Sequence, residues 1–126
     1  MANAAFEGVK TAKVNGTTLA YCEQGEGAPV VFVHGALSDV RIWQAQREAL
    51  AQKYRAISYS LRYHCPNAPA PPGAEHSIDE HVDDLQALIQ ALGAQPAHLV
   101  GNSSGGFMCL YLAMRAPELV RSLVLL

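Results

Sequence analysis

The chain has 126 residues, half of them apolar, with nine Lys and Arg against eleven Asp and Glu and a formal charge of -2. Length and apolar content describe one soluble globular unit with material for a core. The basic residues are scattered and the balance is slightly acidic, which excludes electrostatic attraction to phosphate backbones or anionic lipid, so neither nucleic acid nor membrane is expected as a partner.

The opening, Met1-Ala2-Asn3-Ala4-Ala5-Phe6-Glu7, has neither a basic start nor a sustained apolar stretch. No signal peptide or anchor is expected, and no run approaches transmembrane length. Cys22, Cys65 and Cys109 are odd in number and widely spaced without a C-x-x-C, and the five histidines show no paired ligand spacing. This argues against a disulfide framework, a metal site or a cofactor, and for reduced, mostly buried thiols in a cytoplasmic protein.

In chain order, Asn15-Gly16 between alternating segments predicts a hairpin with a primed turn, so two antiparallel strands open the sheet. Residues 24–29 are a loop by composition. Val30-Val31-Phe32-Val33 then predicts a strand buried on both faces. It ends in His34-Gly35-Ala36, and a helix start at Ser38-Asp39 follows. Ile42, Trp43, Ala45, Ala49 and Leu50 form an apolar stripe that predicts a helix over 40–53, with Trp43 in the core. Residues 55–60 read as a fourth strand, and 61–73 as a proline-rich surface loop that leaves the strand on the catalytic side, with Arg62, Tyr63 and His64 able to face a pocket or simply solvent.

Ser77-Ile78-Asp79-Glu80 is a capping box. The helix it opens carries Ile78, Val82, Leu85, Leu88, Ile89 and Leu92 on one face and stops at Gly93. Its Asp79, Glu80, Asp83 and Asp84 complement the helix dipole and are assigned no catalysis. Pro96 introduces a fifth strand, which runs into Gly101-Asn102-Ser103-Ser104-Gly105-Gly106 and at once into a helix ending near Ala116. A sixth strand begins at Arg121.

A strand that ends in a glycine-flanked serine and turns directly into a helix lifts that hydroxyl on a tight bend, the G-x-S-x-G nucleophile elbow. Side chains at Gly101 or Gly105 would collide across such a turn, and the serine must accept strained dihedrals. Ser103 is the candidate nucleophile. Alone, the motif is also compatible with an ordinary Gly/Ser turn; the upstream His34-Gly35 turn of complementary chemistry separates the two readings.

With both turns in this order, the sequence resembles the α/β-hydrolase family along almost its whole length. The resemblance implies an α/β fold with a mostly parallel sheet and helices on both faces. It also implies an oxyanion hole from the backbone amides of Ala36 and Ser104, with His34, Gly35, Gly101, Asn102, Gly105 and Gly106 building the two turns. A serine at the elbow argues against the epoxide hydrolase and dehalogenase branches, whose covalent intermediate needs a carboxylate. Haloperoxidase-like and carbon-carbon-bond hydrolase members share the motifs, so the reaction subtype stays open.

Right-handed crossovers restrict the winding; if the connection after the third strand steps one way across the sheet and the next crosses back to the other side, the third and fifth strands become neighbours where the winding reverses, opening both turns into one crevice. In the family the acid and then the histidine follow the serine. After Ser103 this sequence has Glu118 as its only carboxylate side chain and no histidine. Among upstream histidines, His34 belongs to the oxyanion turn, His98 lies within a strand, and His64, His76 and His81 have no positional claim. The 126 residues are thus expected to be about half of the family's catalytic domain, cut at about the sixth strand. One sheet face is expected to be bare under the last two strands, and an apolar terminal edge to recruit a complementing chain or a second copy.

The leading reading is a serine hydrolase acting on a small ester, lactone or related carbonyl compound through an acyl-Ser103, inactive or nearly so as the isolated chain. The alternative is a non-catalytic binding or assembly module.

Overall fold

Asn15 and Gly16 both take positive φ (47° and 72°), as a primed two-residue turn requires. They join strand β1 (Lys10–Val14) to β2 (Thr17–Gln24), with Val14 opposite Thr17. In this computed structural model residues 6–126 are described; residues 1–5 of the opening read above for a leader lie outside the described residues.

β2 pairs antiparallel with β4 (Arg55–Tyr59), and β4 runs parallel to β3 (Pro29–Val33). On its other side β3 runs parallel to β5 (Ala97–Gly101), which in turn pairs with β6 (Val120–Leu125). The six-stranded order is β1-β2-β4-β3-β5-β6. The chain steps from β3 outward to β4, then crosses back over β3 to β5, so the expected reversal of winding lies between β3 and β5. Two antiparallel pairings at one side and three parallel ones make the sheet mixed.

Alternate residues of β3 serve opposite faces, as the period of a strand dictates. Val31 and Val33 pack with Ile57 and Leu99 against α2 (Ile78–Ala91) and α3 (Ser104–Arg115), through Val82, Leu85, Leu88, Met108 and Leu112. Val30 and Phe32 face the other way onto Trp43, whose ring lies 5.2 Å from that of Phe32. Both faces of β3 are therefore dry, the condition its unbroken apolar sequence anticipates.

Two local expectations need correction. The helix read over 40–53 is a 3-10 turn, Val40–Trp43, followed by the short α1, Gln44–Leu50. Asp39 caps that tight turn by accepting from the Arg41 amide and pairing with its guanidinium. Only Val40 and Trp43 of the whole stretch are buried, and Ile42, counted in the apolar stripe, is half exposed. The capping box is half made: the Glu80 amide donates to Ser77 Oγ at 3.1 Å, but the Glu80 carboxylate lies 3.6 Å from Arg62 instead of reaching back. Of the three thiols, Cys22 and Cys109 are buried while Cys65 is exposed.

The opposite edge of the sheet is uncovered. Among the described residues β6 has no partner beyond β5, and Val124, Leu125 and Leu126 are exposed together with Phe107, Tyr111 and Met114 on the outer side of α3.

Candidate active site

Only Asn102 and Ser103 separate the end of β5 from the first residue of α3. Ser103 sits at φ 54°, ψ -125°, a left-handed conformation that costs a residue with a Cβ about 1–3 kcal/mol and persists only when the surroundings enforce it. Those surroundings are visible. The Asn102 amide donates to Val33 O at 3.1 Å, and the Ser103 amide donates to Leu126 O at 2.9 Å. The carbonyls of Asn102 and Ser103 accept from Gly105 and Gly106 at 2.9 Å each.

Close backbone approach explains two of the glycines. A Cβ on Gly105 would lie 2.3 Å from Val33 O and 2.6 Å from His34 O, and one on Gly101 would lie 2.6 Å from Gly105 O. The nearest atom to a Cβ on Gly106 would be 3.4 Å away, so that glycine is not sterically required.

The bend leaves Ser103 exposed and brings it against the turn after β3. A Cβ on Gly35 would meet Ser103 Cβ at 3.2 Å. His34 is wholly buried, and its ring fixes this turn: Nε2 accepts from the Leu61 amide at 2.9 Å, so the proton is on Nδ1, which donates to Gly35 O at 2.7 Å. Burial away from water lowers the His34 pKa to about 4, with the bond to Gly35 O working in the other direction. With one nitrogen occupied by an amide and the other bound to a carbonyl, His34 holds structure and has no free lone pair for a base.

Among the described residues, no acceptor takes the amide hydrogens of Ala36 or Ser104. Ser104 is the first residue of α3, where amides lack an intrahelical partner and the helix dipole favours negative charge. Both residues line one cleft of about 590 Å³. Its walls are apolar at Leu61, Ala70, Ile78 and Met108 and aromatic at Tyr63, His64, His76 and His81. Ser103 stands exposed beside this cleft rather than within its lining.

Of the three loop residues offered to a pocket, Tyr63 and His64 line the cleft and Arg62 does not. Arg62 pairs with Asp84 through two bonds of 2.9 Å, and Asp84 also accepts from Asn15 Nδ2 at 2.8 Å. Asp84 is almost fully buried, so beyond complementing the helix dipole it has a structural role that its place in the helix did not reveal. It ties the first hairpin, the loop after β4 and α2 together. His76 and His81, given no positional claim, also reach the cleft, His76 from the aperiodic loop and His81 from the first turn of α2, and nothing in their spacing reveals it.

Among the described residues no histidine is hydrogen-bonded to the Ser103 hydroxyl. His64 faces the carbonyls of Arg62 and Ala36, and His98 bonds Ser122 at 2.6 Å across β5 and β6. Burial lowers the His81 pKa. The Oγ of Ser104 and Nδ1 of His81 are buried without a partner among the described residues. No group of three or more His, Cys, Asp or Glu among them is arranged to hold a metal ion, and no helix is long and apolar enough to cross a membrane.

Comparison with known proteins bears on this geometry. Residues 28–126 match the profile of a family described as alpha/beta hydrolase fold. The chain is 37% identical over 117 residues to the dihydrolipoyllysine-residue acetyltransferase component of the acetoin cleaving system of Pseudomonas putida, covering 91% of this chain and 31% of that protein. It is 30% identical over 112 residues to the (E)-2-((N-methylformamido)methylene)succinate hydrolase of Acinetobacter baylyi, covering 89% of this chain and 42% of that one. The crystal structure of an epoxide hydrolase from Vigna radiata superimposes with a TM-score of 0.87 at 31% identity, over 93% of this chain and 39% of the other. The chain thus spans less than half the length of these relatives.

Proposed function

The chain belongs to the α/β-hydrolase fold family, and from that premise we propose that it supplies the serine nucleophile of a hydrolase acting on a small ester, lactone or related carbonyl compound. The observation that carries this is Ser103 at φ 54°, exposed, packed so close to the Gly35 turn that a Cβ on Gly35 would lie 3.2 Å from Ser103 Cβ, with two amides, unengaged among the described residues, flanking the pair.

In this reading Ser103 Oγ attacks the carbonyl carbon. The electron pair of the C=O bond moves to oxygen, and the amides of Ala36 and Ser104 hold the resulting negative charge. A donor of this kind typically contributes about 3 kcal/mol to the transition state. Collapse expels the leaving group and leaves an acyl-Ser103, which water then hydrolyses. A serine hydroxyl needs a base to take its proton and a carboxylate to orient that base. No histidine in these 126 residues is in place to do so, and the residues after Ser103 include none. The proposal therefore assigns the acid and the histidine to another segment or chain, and assigns little or no turnover to these 126 residues alone. The uncovered β6 edge is where such a segment, or a second copy, would add. Reduced thiols and a cytoplasmic setting belong to the same proposal.

The lack of a base in contact with Ser103 favours a second reading, a binding or assembly module that keeps the elbow as architecture. A fluorophosphonate probe separates the two. The first reading expects labelling when a complementing C-terminal segment of an α/β hydrolase is present, little without it, and none in Ser103→Ala. No labelling in the reconstituted protein favours the module.

A further inference from the structure

Resting on the reading of Ser103 and Ala36 given above, we propose that His64 is a positioning residue of the oxyanion turn, holding the Ala36 amide on target through a hydrogen bond from its ring to the Ala36 carbonyl. The donor in question is the N–H of the Gly35–Ala36 peptide. The carbonyl end of that peptide accepts from His34 Nδ1 at 2.7 Å and from the Ser38 amide at 3.3 Å. The next peptide is held by its carbonyl too, since His64 Nε2 lies 2.8 Å from Ala36 O. Pinning the peptides on both sides of one residue leaves that residue no rotation that would swing its N–H.

Hydrogen bonds have to do this because packing does not. Ala36 is exposed and the Leu37 side chain is entirely in solvent, so no apolar contact anchors the turn. His64 is itself well seated: its amide donates to Leu61 O at 2.9 Å, its Nδ1 lies 2.9 Å from Arg62 O, and its ring stands 5.1 Å from that of His34. The two turns exchange imidazoles in opposite directions. His34, from the turn after β3, takes the Leu61 amide; His64, from the turn after β4, binds Ala36.

The test is titration of the chain, complemented by the C-terminal segment of an α/β hydrolase, with 4-fluorophenylboronic acid followed by fluorine NMR. Ser103 Oγ adds to trigonal boron and its proton passes to water, giving a tetrahedral anion whose boron-bound oxygen occupies the place of the oxyanion. The expected result is a Ser103-dependent adduct that His64→Ala weakens about tenfold and His64→Gln, whose amide can still donate to Ala36 O, weakens by less than about threefold. The melting temperature of His64→Gln should stay unchanged. Equal adduct affinity for His64→Ala and the unsubstituted chain overturns the role of His64 alone, as does a loss in His64→Gln matching that in His64→Ala. A chain whose boronate signal is indifferent to Ser103→Ala overturns the nucleophile and this inference with it.

Discussion

At the scale of single residues, the elbow is defined by where a Cβ cannot go. Gly105→Ala places a methyl 2.3 Å from Val33 O and 2.6 Å from His34 O, both backbone atoms of the buried central strand region. Separating β3 from α3 to relieve this should cost about 3 kcal/mol or more. Gly106→Ala meets nothing closer than 3.4 Å and gains up to about 1 kcal/mol of helix propensity. Denaturant unfolding of the two variants should therefore move in opposite directions or, at the least, differ by several kcal/mol; similar stabilities would contradict the close approach. The motif spacing already sets Gly105 apart from Gly106, and the backbone distances give the physical reason. His34 gives a second expectation. Its pKa, about 4 in the fold against about 6.5 unfolded, means the unfolded chain binds the extra proton first as pH falls. Stability should be constant above about pH 6.5 and decline towards pH 4, by about 2 kcal/mol between pH 7 and pH 5. Urea titrations at those two pH values check this, and His34→Gln should flatten the dependence.

At the scale of elements, the Arg62–Asp84 pair joins three segments that are distant in sequence. Asp84 is 1% exposed, and it accepts from both Arg62 and Asn15. Removing one side of a buried pair leaves an uncompensated charge, so Asp84→Ala should cost about 3–5 kcal/mol, whereas Asp83→Ala, which breaks only an exposed bond to Arg115, should cost less than about 1 kcal/mol. Equal losses in thermal or urea unfolding would show that the tie is not structural. This is also where legibility in the sequence ends. Elements set by local rules were readable: the Asn15-Gly16 turn, the doubly buried β3, the Ser77 cap, the stop at Gly93. Features set by long-range partners were not. Glu80 leaves its capping box for Arg62, Asp84 hides among its helix's surface acids, and Asp39 tightens a helix start into a 3-10 turn. The candidate site divides the same way. Ser103 and the two glycine turns are written in a motif, while His64 and His76, from an aperiodic loop, meet His81 of α2 at the cleft only through the tertiary fold.

For the whole molecule, the two edges of the sheet differ in chemistry. β1 exposes Lys10, Thr11 and Lys13 at one edge, and α2 and α3 cover one face, but β6 offers Val124 and Leu125 to solvent at the other edge. An unpaired apolar strand is a template for another. Sedimentation of the chain should show concentration-dependent association that Val124→Lys reduces; a monomer at all concentrations would contradict an adhesive edge.

The central claim is that the bend at residue 103, and not its serine neighbour, presents the reacting oxygen. Ser103 is exposed, while Ser104 Oγ is buried, so two adjacent hydroxyls should behave in opposite ways towards one electrophile. Peptide-mapping mass spectrometry of the fluorophosphonate-treated, complemented protein reads this directly. The account predicts a single phosphonyl adduct on Ser103. An adduct on Ser104, or modification spread over unrelated serines, would contradict it.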